Sequence, residues 1–345
     1  MTLLRNGKGC VSGQDLITKY LRDKGEAWNE FLYMSTKNGG LGFYRFSHKL
    51  PLLKLKLYQK LENSDDLITR EILKDPEWSK DIEQQRHAFR RITGMEYVSD
   101  LPSKRCLEER NITNLSEKVQ GFGTRAFTND RIGNFWLSGL NSGWQGRRFI
   151  SALRLRSNLM ATREMIHRGR GRHKSELMCR HGCKEVESQS HILQKCYKLK
   201  RARIKRHHEV VNLVAERALA SGMTVDKEQV VQVSGKRFRP DLILRSGNSI
   251  RVVDVTIAYE FSETSLLDAE ERKKVSYGVL KDTLLNKYQG STTFTVEGFV
   301  VGARGAWYSG NDSLCKDIGL GIAWKRRLVK SVLGSATFMM NKFDR

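Results

Sequence analysis

The stretch Arg239-Pro240-Asp241-Leu242-Ile243-Leu244-Arg245-Ser246-Gly247-Asn248-Ser249-Ile250-Arg251-Val252-Val253-Asp254-Val255-Thr256-Ile257 holds two apolar runs separated by Gly-Asn. Gly-Asn is a favoured two-residue hairpin loop, so the stretch predicts antiparallel strands over Asp241–Arg245 and Ile250–Ile257. With 247 and 248 as the loop, Ser246 faces Ser249, Ile243 faces Val252, and Asp241 faces Asp254. Directly opposed residues carry their Cβ atoms about 4.5–5.5 Å apart. Two carboxylates that close cannot both ionise comfortably without a cation. Mg(II), content with one or two carboxylates plus water and phosphate oxygens, resolves the conflict. Such an ion would activate water for attack on a phosphodiester. The bland alternative makes Pro240-Asp241 a turn signal and Asp254 a strand-edge charge. Against it, Asp254 sits inside Val252-Val253-Asp254-Val255, where a charge is costly unless paired or metal-bound.

A third partner should be basic, to steady developing charge. The run from Asp268 to Tyr277 offers Lys273, which shares a helix face with Tyr277 at i, i+4 spacing. Lys274 is the alternate. A lysine on such a mixed-charge helix is otherwise solvated surface. Glu209 and Glu260 are open candidates for a further acid.

Outward from the hairpin, residues 199–220 predict a long helix, basic at first and then apolar at Val210, Val211, Leu213 and Val214. Val230–Val233 and Thr293–Val301 read as strands, Ser265–Asn286 as a helix, and the last 30 or so residues as a basic helix. The order αβββαβα is an α/β domain. Upstream, residues 1–110 read as helical, with segments at Leu16–Met34, Leu50–Asn63, Asp65–Leu73 and Asp81–Ile92. Lys37-Asn38-Gly39-Gly40 ends the first of them. Residues 111–146, rich in Asn, Gly and Thr, link or wrap. Arg147–His167 is helical again, with its arginines outward.

Charge points to the partner. The 345 residues carry 61 Lys and Arg against 38 Asp and Glu, a net of +23. Arg147–Arg206 holds more than half of that excess, almost single-signed, which repels itself unless it meets a polyanion. The hydrophobic fraction of 39% is that of a globular chain. No apolar run approaches the length of a membrane span. The first ten residues lack the apolar core of a secretion signal. Six cysteines are too few for a disulfide scaffold.

Four ligand-type residues lie within that basic stretch. Cys179, Cys183, His191 and Cys196 have the spacing C-x3-C-x7-H-x4-C. Three thiolates and an imidazole make a closed tetrahedral set suited to structural Zn(II). His181 is the rival ligand; His173 reads as surface.

These residues carry a resemblance. Pro240-Asp241, twelve residues and then Asp254-Val255-Thr256 resembles the PD-(D/E)xK nuclease motif, in the variant found in site-specific non-LTR retrotransposons that insert into ribosomal RNA genes. The common motif places a lysine two residues after the second acid, where this chain has Thr256. The retrotransposon variant carries its lysine on the next helix ahead of a tyrosine, which resembles Lys273 before Tyr277; alignment on Val275 selects Lys274 instead. The family's Cys-Cys-His-Cys knuckle is similar to Cys179, Cys183, His191 and Cys196, and its Arg-His pair to Arg206-His207. Phe149–Arg156 is similar to the family's linker, and Asn38-Gly-Gly-Leu-Gly-Phe43 to a segment of its thumb. The resemblance covers roughly residues 35–345.

It implies an α+β chain. A helical thumb-like region (1–110) and a basic linker (111–176) precede a zinc knuckle (177–198) and a restriction-endonuclease-like domain (199–345). It implies Asp241 and Asp254 on Mg(II), Lys273 assisting the water, and Arg147, Arg148, Arg154, Arg156, Arg203, Arg206 and His207 on nucleic acid. The partners implied are double-stranded target DNA and element RNA, in the nucleus, with a nick that primes reverse transcription. The family's polymerase palm carries an aromatic-x-Asp-Asp turn. The adjacent pair here, Asp65-Asp66, follows Asn63-Ser64 and does not match it. The expectation is the C-terminal part of a longer polyprotein. Two alternatives are a catalytically dead nucleic-acid-binding remnant and a resolvase-like nuclease acting on branched DNA.

Overall fold

The computed structural model describes residues 26–43, 46–94, 104–138, 144, 146–171 and 173–344. Residues 16–25 of the first expected helix lie outside them. The chain divides into two units: residues 1–35 with 40–114, and residues 36–39 with 115–345. Its architecture is mixed α and β, with helix predominating. No helix among the described residues is long and apolar enough to cross a membrane.

The first unit is helical: α1 (Glu26–Tyr33), α2 (Phe46–Glu62), α3 (Leu67–Ile72), α4 (Pro76–Thr93) and most of α5 (Lys104–Ser116). The fourth begins earlier than the expected Asp81 for a local reason. Asp75 caps it by accepting from the Glu77 N–H at 2.9 Å, and Pro76 fits the first helical position. α2 and α4 pack through buried Leu55, Tyr58 and Phe89.

The second unit contains α6 (Arg147–Arg156), α7 (Arg163–Ile166), α8 (Gln189–Gln194), α9 (Lys200–Ala220), β1 (Thr224–Lys227), β2 (Val231–Val233), β3 (Lys236–Phe238), β4 (Leu242–Ser246), β5 (Ser249–Ala258), α10 (Ser265–Gly278), α11 (Lys281–Lys287), β6 (Thr293–Gly302), α12 (Asp312–Asp317) and α13 (Ile322–Phe343). The main sheet runs β1-β4-β5-β6; its first two pairings are antiparallel and β5 with β6 is parallel. The hairpin register is the one the loop residues dictate: Ser246 pairs Ser249, Ile243 pairs Val252 and Leu242 pairs Val253. Gly247 takes φ 56°, the positive value a type II′ turn needs at its first loop position.

On one face Ile243, Ile250 and Val252 pack with Leu280 and Leu284 at the end of α10 and in α11. The alternate residues Leu242, Leu244, Val253 and Val255 are equally buried on the other, consistent with the packing of α9 against β1, β4 and β5. α13 packs against α6, α8 and α9, tying the basic helices together.

One expectation changes. The sheet's first strand is Thr224–Lys227, while Val231–Val233 forms a separate ribbon with Lys236–Phe238. Thr224–Lys227 is an edge strand; with one neighbour and three of its four residues charged or polar, it carries no apolar run to read. Of the two readings of residues 111–146, wrapping is the closer for 119–138: Phe127, Trp136 and Leu137 are buried there in short 3₁₀ turns.

Candidate functional site

Asp241 is the residue before β4, and Asp254 lies mid-way along β5. One step beyond the Leu242–Val253 pair, the same register puts them opposite each other. Both are buried. Asp241 Oδ2 accepts from the Val255 N–H at 2.7 Å and lies 3.1 Å from His207 Nε2. Asp254 Oδ2 lies 2.8 Å from Lys273 Nζ. Lys274 turns elsewhere, to Glu270 at 3.0 Å and Glu271 at 3.2 Å. Tyr277, one turn after Lys273, donates its hydroxyl to the Arg239 carbonyl at 3.3 Å.

The electrostatics follow from this crowding. Burial, and then the charge of Asp241, push the Asp254 carboxyl above its ordinary value, against Lys273 and Tyr277. The hydrogen bond to Asp241 raises His207 above the usual imidazole range, outweighing its burial. Two carboxylates on neighbouring strands, one of them resisting ionisation, form an all-oxygen donor pair that fits a hard divalent ion such as Mg(II).

Gly298 sets the approach of Lys273. It sits beside Asp254 in the β5–β6 register. A Cβ there would lie 2.8 Å from the Glu270 Cα, so only glycine lets α10 sit this close to the sheet. Glu209 and Glu260 do not join the site. Glu209 accepts from Ser331 at 3.0 Å, and Glu260 is buried in an ion pair with Arg304 at 3.3 Å.

The second cluster is built locally. An antiparallel bridge, Met178 to Val186, folds Cys179 and Cys183 into one turn. Ser188 caps α8 by accepting from the His191 N–H at 3.0 Å, which fixes the helix carrying His191. Cys196 follows directly, its N–H bonded to the His191 carbonyl at 2.9 Å. The four ligand atoms lie within 4.8 Å of one another. The Cys183 and Cys196 sulfurs are 3.8 Å apart; bonds of about 2.3 Å to a tetrahedral Zn(II) give about that separation. His191 Nδ1 faces Glu185 at 3.4 Å, while its buried Nε2 has no hydrogen-bond partner among the described residues. That is the polarity of a metal-ligating imidazole. Burial, reinforced by the Cys179 charge, pushes Cys196 up to about 12; a bound cation offsets that cost. The donor set therefore fits zinc. His181, the rival ligand, stacks edge-on against Phe343 and bonds its carbonyl at 3.0 Å.

The arginines separate into two groups. Arg147 and Arg148 are exposed on α6; Arg154 and Arg203 are half-buried, and Arg203 bonds the Cys196 carbonyl. Arg156 and Arg206 are buried and correct the expectation of phosphate contacts. Arg156 bonds Asn134 Oδ1 at 2.7 Å, the Gly133 carbonyl at 3.0 Å and the Arg304 carbonyl at 3.1 Å. Arg206 bonds the Leu193 carbonyl at 3.0 Å. His207, read as a nucleic-acid contact, sits instead among the carboxylates. The missed signal was its place on the helix entering the sheet, behind Asp241.

No protein-family profile matches the chain. Curated relatives do. One Pol polyprotein of the type-1 retrotransposable element R2 of Popillia japonica is 28% identical over 299 residues, 83% of this chain and 45% of that protein. A second is 27% identical over 322 residues, 91% of this chain and 64% of that protein. The Pol polyprotein of the type-2 element R2DM of Drosophila melanogaster is 27% identical over 279 residues, covering 80% and 25%. This chain is a homologue of the R2 Pol polyproteins. It spans 45% and 64% of the lengths of the first two relatives. Within this R2-related chain, the Cys-Cys-His-Cys cluster stands as a candidate metal site.

Proposed function

We propose that the chain is the endonuclease portion of an R2-type Pol polyprotein, cutting double-stranded DNA with Mg(II). The observation that carries this is the convergence of Asp241, Asp254 and Lys273 on one end of a mixed sheet. The sheet's two antiparallel pairings, followed by a helix and a parallel strand, suit a restriction-endonuclease-like core over residues 199–345. Residues 1–110 would be thumb-like, 111–176 a basic linker and 177–198 a zinc knuckle.

Asp241 and Asp254 would hold the ion, which supplies water activation and charge neutralisation at the phosphate. Asp241 is fixed by the Val255 N–H and His207. Lys273 holds Asp254 and presents its ammonium where negative charge grows on the phosphate. Cys179, Cys183, His191 and Cys196 would hold zinc structurally, with no open position for a water. The exposed Arg147 and Arg148 would contact phosphates, which gives affinity and position but not sequence. Target DNA and element RNA in the nucleus are the partners this reading implies, the nick serving to prime reverse transcription.

The test is nicking of supercoiled plasmid in Mg(II), with DNA binding measured alongside. Wild type should cut and Asp241→Ala should bind without cutting. Binding without cutting by wild type would overturn the enzyme in favour of a dead remnant. Strong preference for four-way junctions would replace it with a resolvase-like activity.

A further inference from the structure

A cavity of about 370 Å³ opens between the knuckle helix α8 and the end of β5. The proposed cutting chemistry does not use it. Its volume is within the small-ligand range of about 300–1,000 Å³. Phe122 and Phe261 stand at its wall, 46% and 50% exposed, with their rings edge-to-face at 6.0 Å. Tyr259 lies behind Phe261 at 4.9 Å between ring centroids. Large aromatic faces left in water next to a cavity are platforms for a flat ring.

The polar lining is held in place. Asn158 adopts a positive φ of 54°. Its Nδ2 donates to the Phe122 carbonyl at 3.1 Å, and its Oδ1 accepts from the Tyr259 hydroxyl at 2.8 Å. One residue thereby ties the backbone of Phe122 to the Tyr259 ring behind Phe261. Gln189 is 5% exposed, and its Nε2 donates to the Leu155 carbonyl at 2.9 Å. Its Oε1 and the Arg168 Nη1 are buried without hydrogen-bond partners among the described residues. Unpaired buried acceptors and donors are uncommon. Arg168, Ser188 and Ser190 line the same cavity and offer polar side chains beside its aromatic wall.

We infer that this cavity receives one unpaired nucleobase, stacked on Phe122 or Phe261 among the polar side chains of Arg168, Ser188 and Ser190. Stacking on aromatics with edge recognition is how unpaired bases are held. The inference rests on the nucleic-acid reading above and adds to it a single-stranded position. Tyr259 follows Asp254 by five residues. At roughly 3.3 Å per strand residue that is about 16 Å, or about five nucleotides along one strand at about 3.4 Å each.

The test uses the full chain without added Mg(II), so binding is read whether or not the chain cuts. The probes are a single-stranded oligonucleotide carrying 2-aminopurine, made as DNA and as RNA, and a fully paired duplex. Wild type should quench the 2-aminopurine on binding. Phe122→Ala and Phe261→Ala should weaken single-strand binding about tenfold or more and leave duplex affinity unchanged; Phe261→Trp should restore it. The DNA and RNA arms show which strand supplies the base. No quenching by wild type, or equal losses on single strand and duplex, would overturn the inference and leave the nuclease reading standing. Absence of cutting in the plasmid assay would overturn that reading and leave this measurement intact.

Discussion

Lys273 and Lys274 are neighbours in sequence but serve different carboxylates: Lys273 reaches Asp254 at 2.8 Å, while Lys274 reaches Glu270 at 3.0 Å on its own helix. Lys273→Ala should therefore lower the nicking rate by about 10²–10³-fold, the cost of losing one preorganised charge stabiliser. Lys274→Ala should change it little. Plasmid nicking time courses check this; equal losses would remove Lys273 from its role.

Gly298 governs that reach. Gly298→Ala puts a Cβ 2.8 Å from the Glu270 Cα, so α10 must move outward and carry Lys273 with it. The expected outcome is a destabilisation of about 1–3 kcal/mol and slower cutting, with zinc content unchanged. Denaturant titration and metal analysis check it.

The hairpin geometry was legible because it is local. Gly247-Asn248 permits a tight turn, and a one-residue slip would turn Ile243 and Val252 away from the core. The Cys-Cys-His-Cys cluster was legible for the same reason, its ligands spanning one bridge and one helix. His207 was not, because it arrives at Asp241 from a helix 34 residues upstream. The burial of Arg156 and Arg206 left no trace either. An arginine in a basic run looks the same whether it faces solvent or backbone carbonyls; the approach of Gly133, Asn134 and Arg304 to Arg156, and of Leu193 in α8 to Arg206, decides the matter.

Glu185 orients His191 from outside the thiol cluster. Glu185→Ala should weaken zinc binding by about 10–100-fold while leaving all four ligands in place. Competition with a chromophoric chelator measures this. An unchanged affinity would show that Glu185 does not act on the site.

Glu260 and Arg304 form an ion pair with both side chains fully buried. Glu260→Ala leaves an uncompensated guanidinium and should cost about 3–5 kcal/mol. Thermal or denaturant unfolding checks it.

Asp130 accepts from the Trp307 N–H at 2.7 Å and the Gly133 N–H at 2.6 Å, yet burial pushes its carboxyl up to about 6. The folded value lies above the unfolded one. Its stabilisation is therefore complete below the ordinary aspartate range and is lost as pH rises through about 6. The Tm of wild type relative to Asp130→Asn should fall between about pH 4 and about pH 7 and stay level above that. A constant difference would contradict the assignment.

The nuclease activity requires that Asp241 and Asp254 share an ion. Crystals of the chain soaked in Mn(II) and measured for anomalous scattering answer this directly. The predicted result is a single peak about 2.1 Å from one oxygen of each carboxylate, absent in Asp254→Asn. Ordered carboxylates with no peak between them, or a peak at a different set of acids, would contradict it.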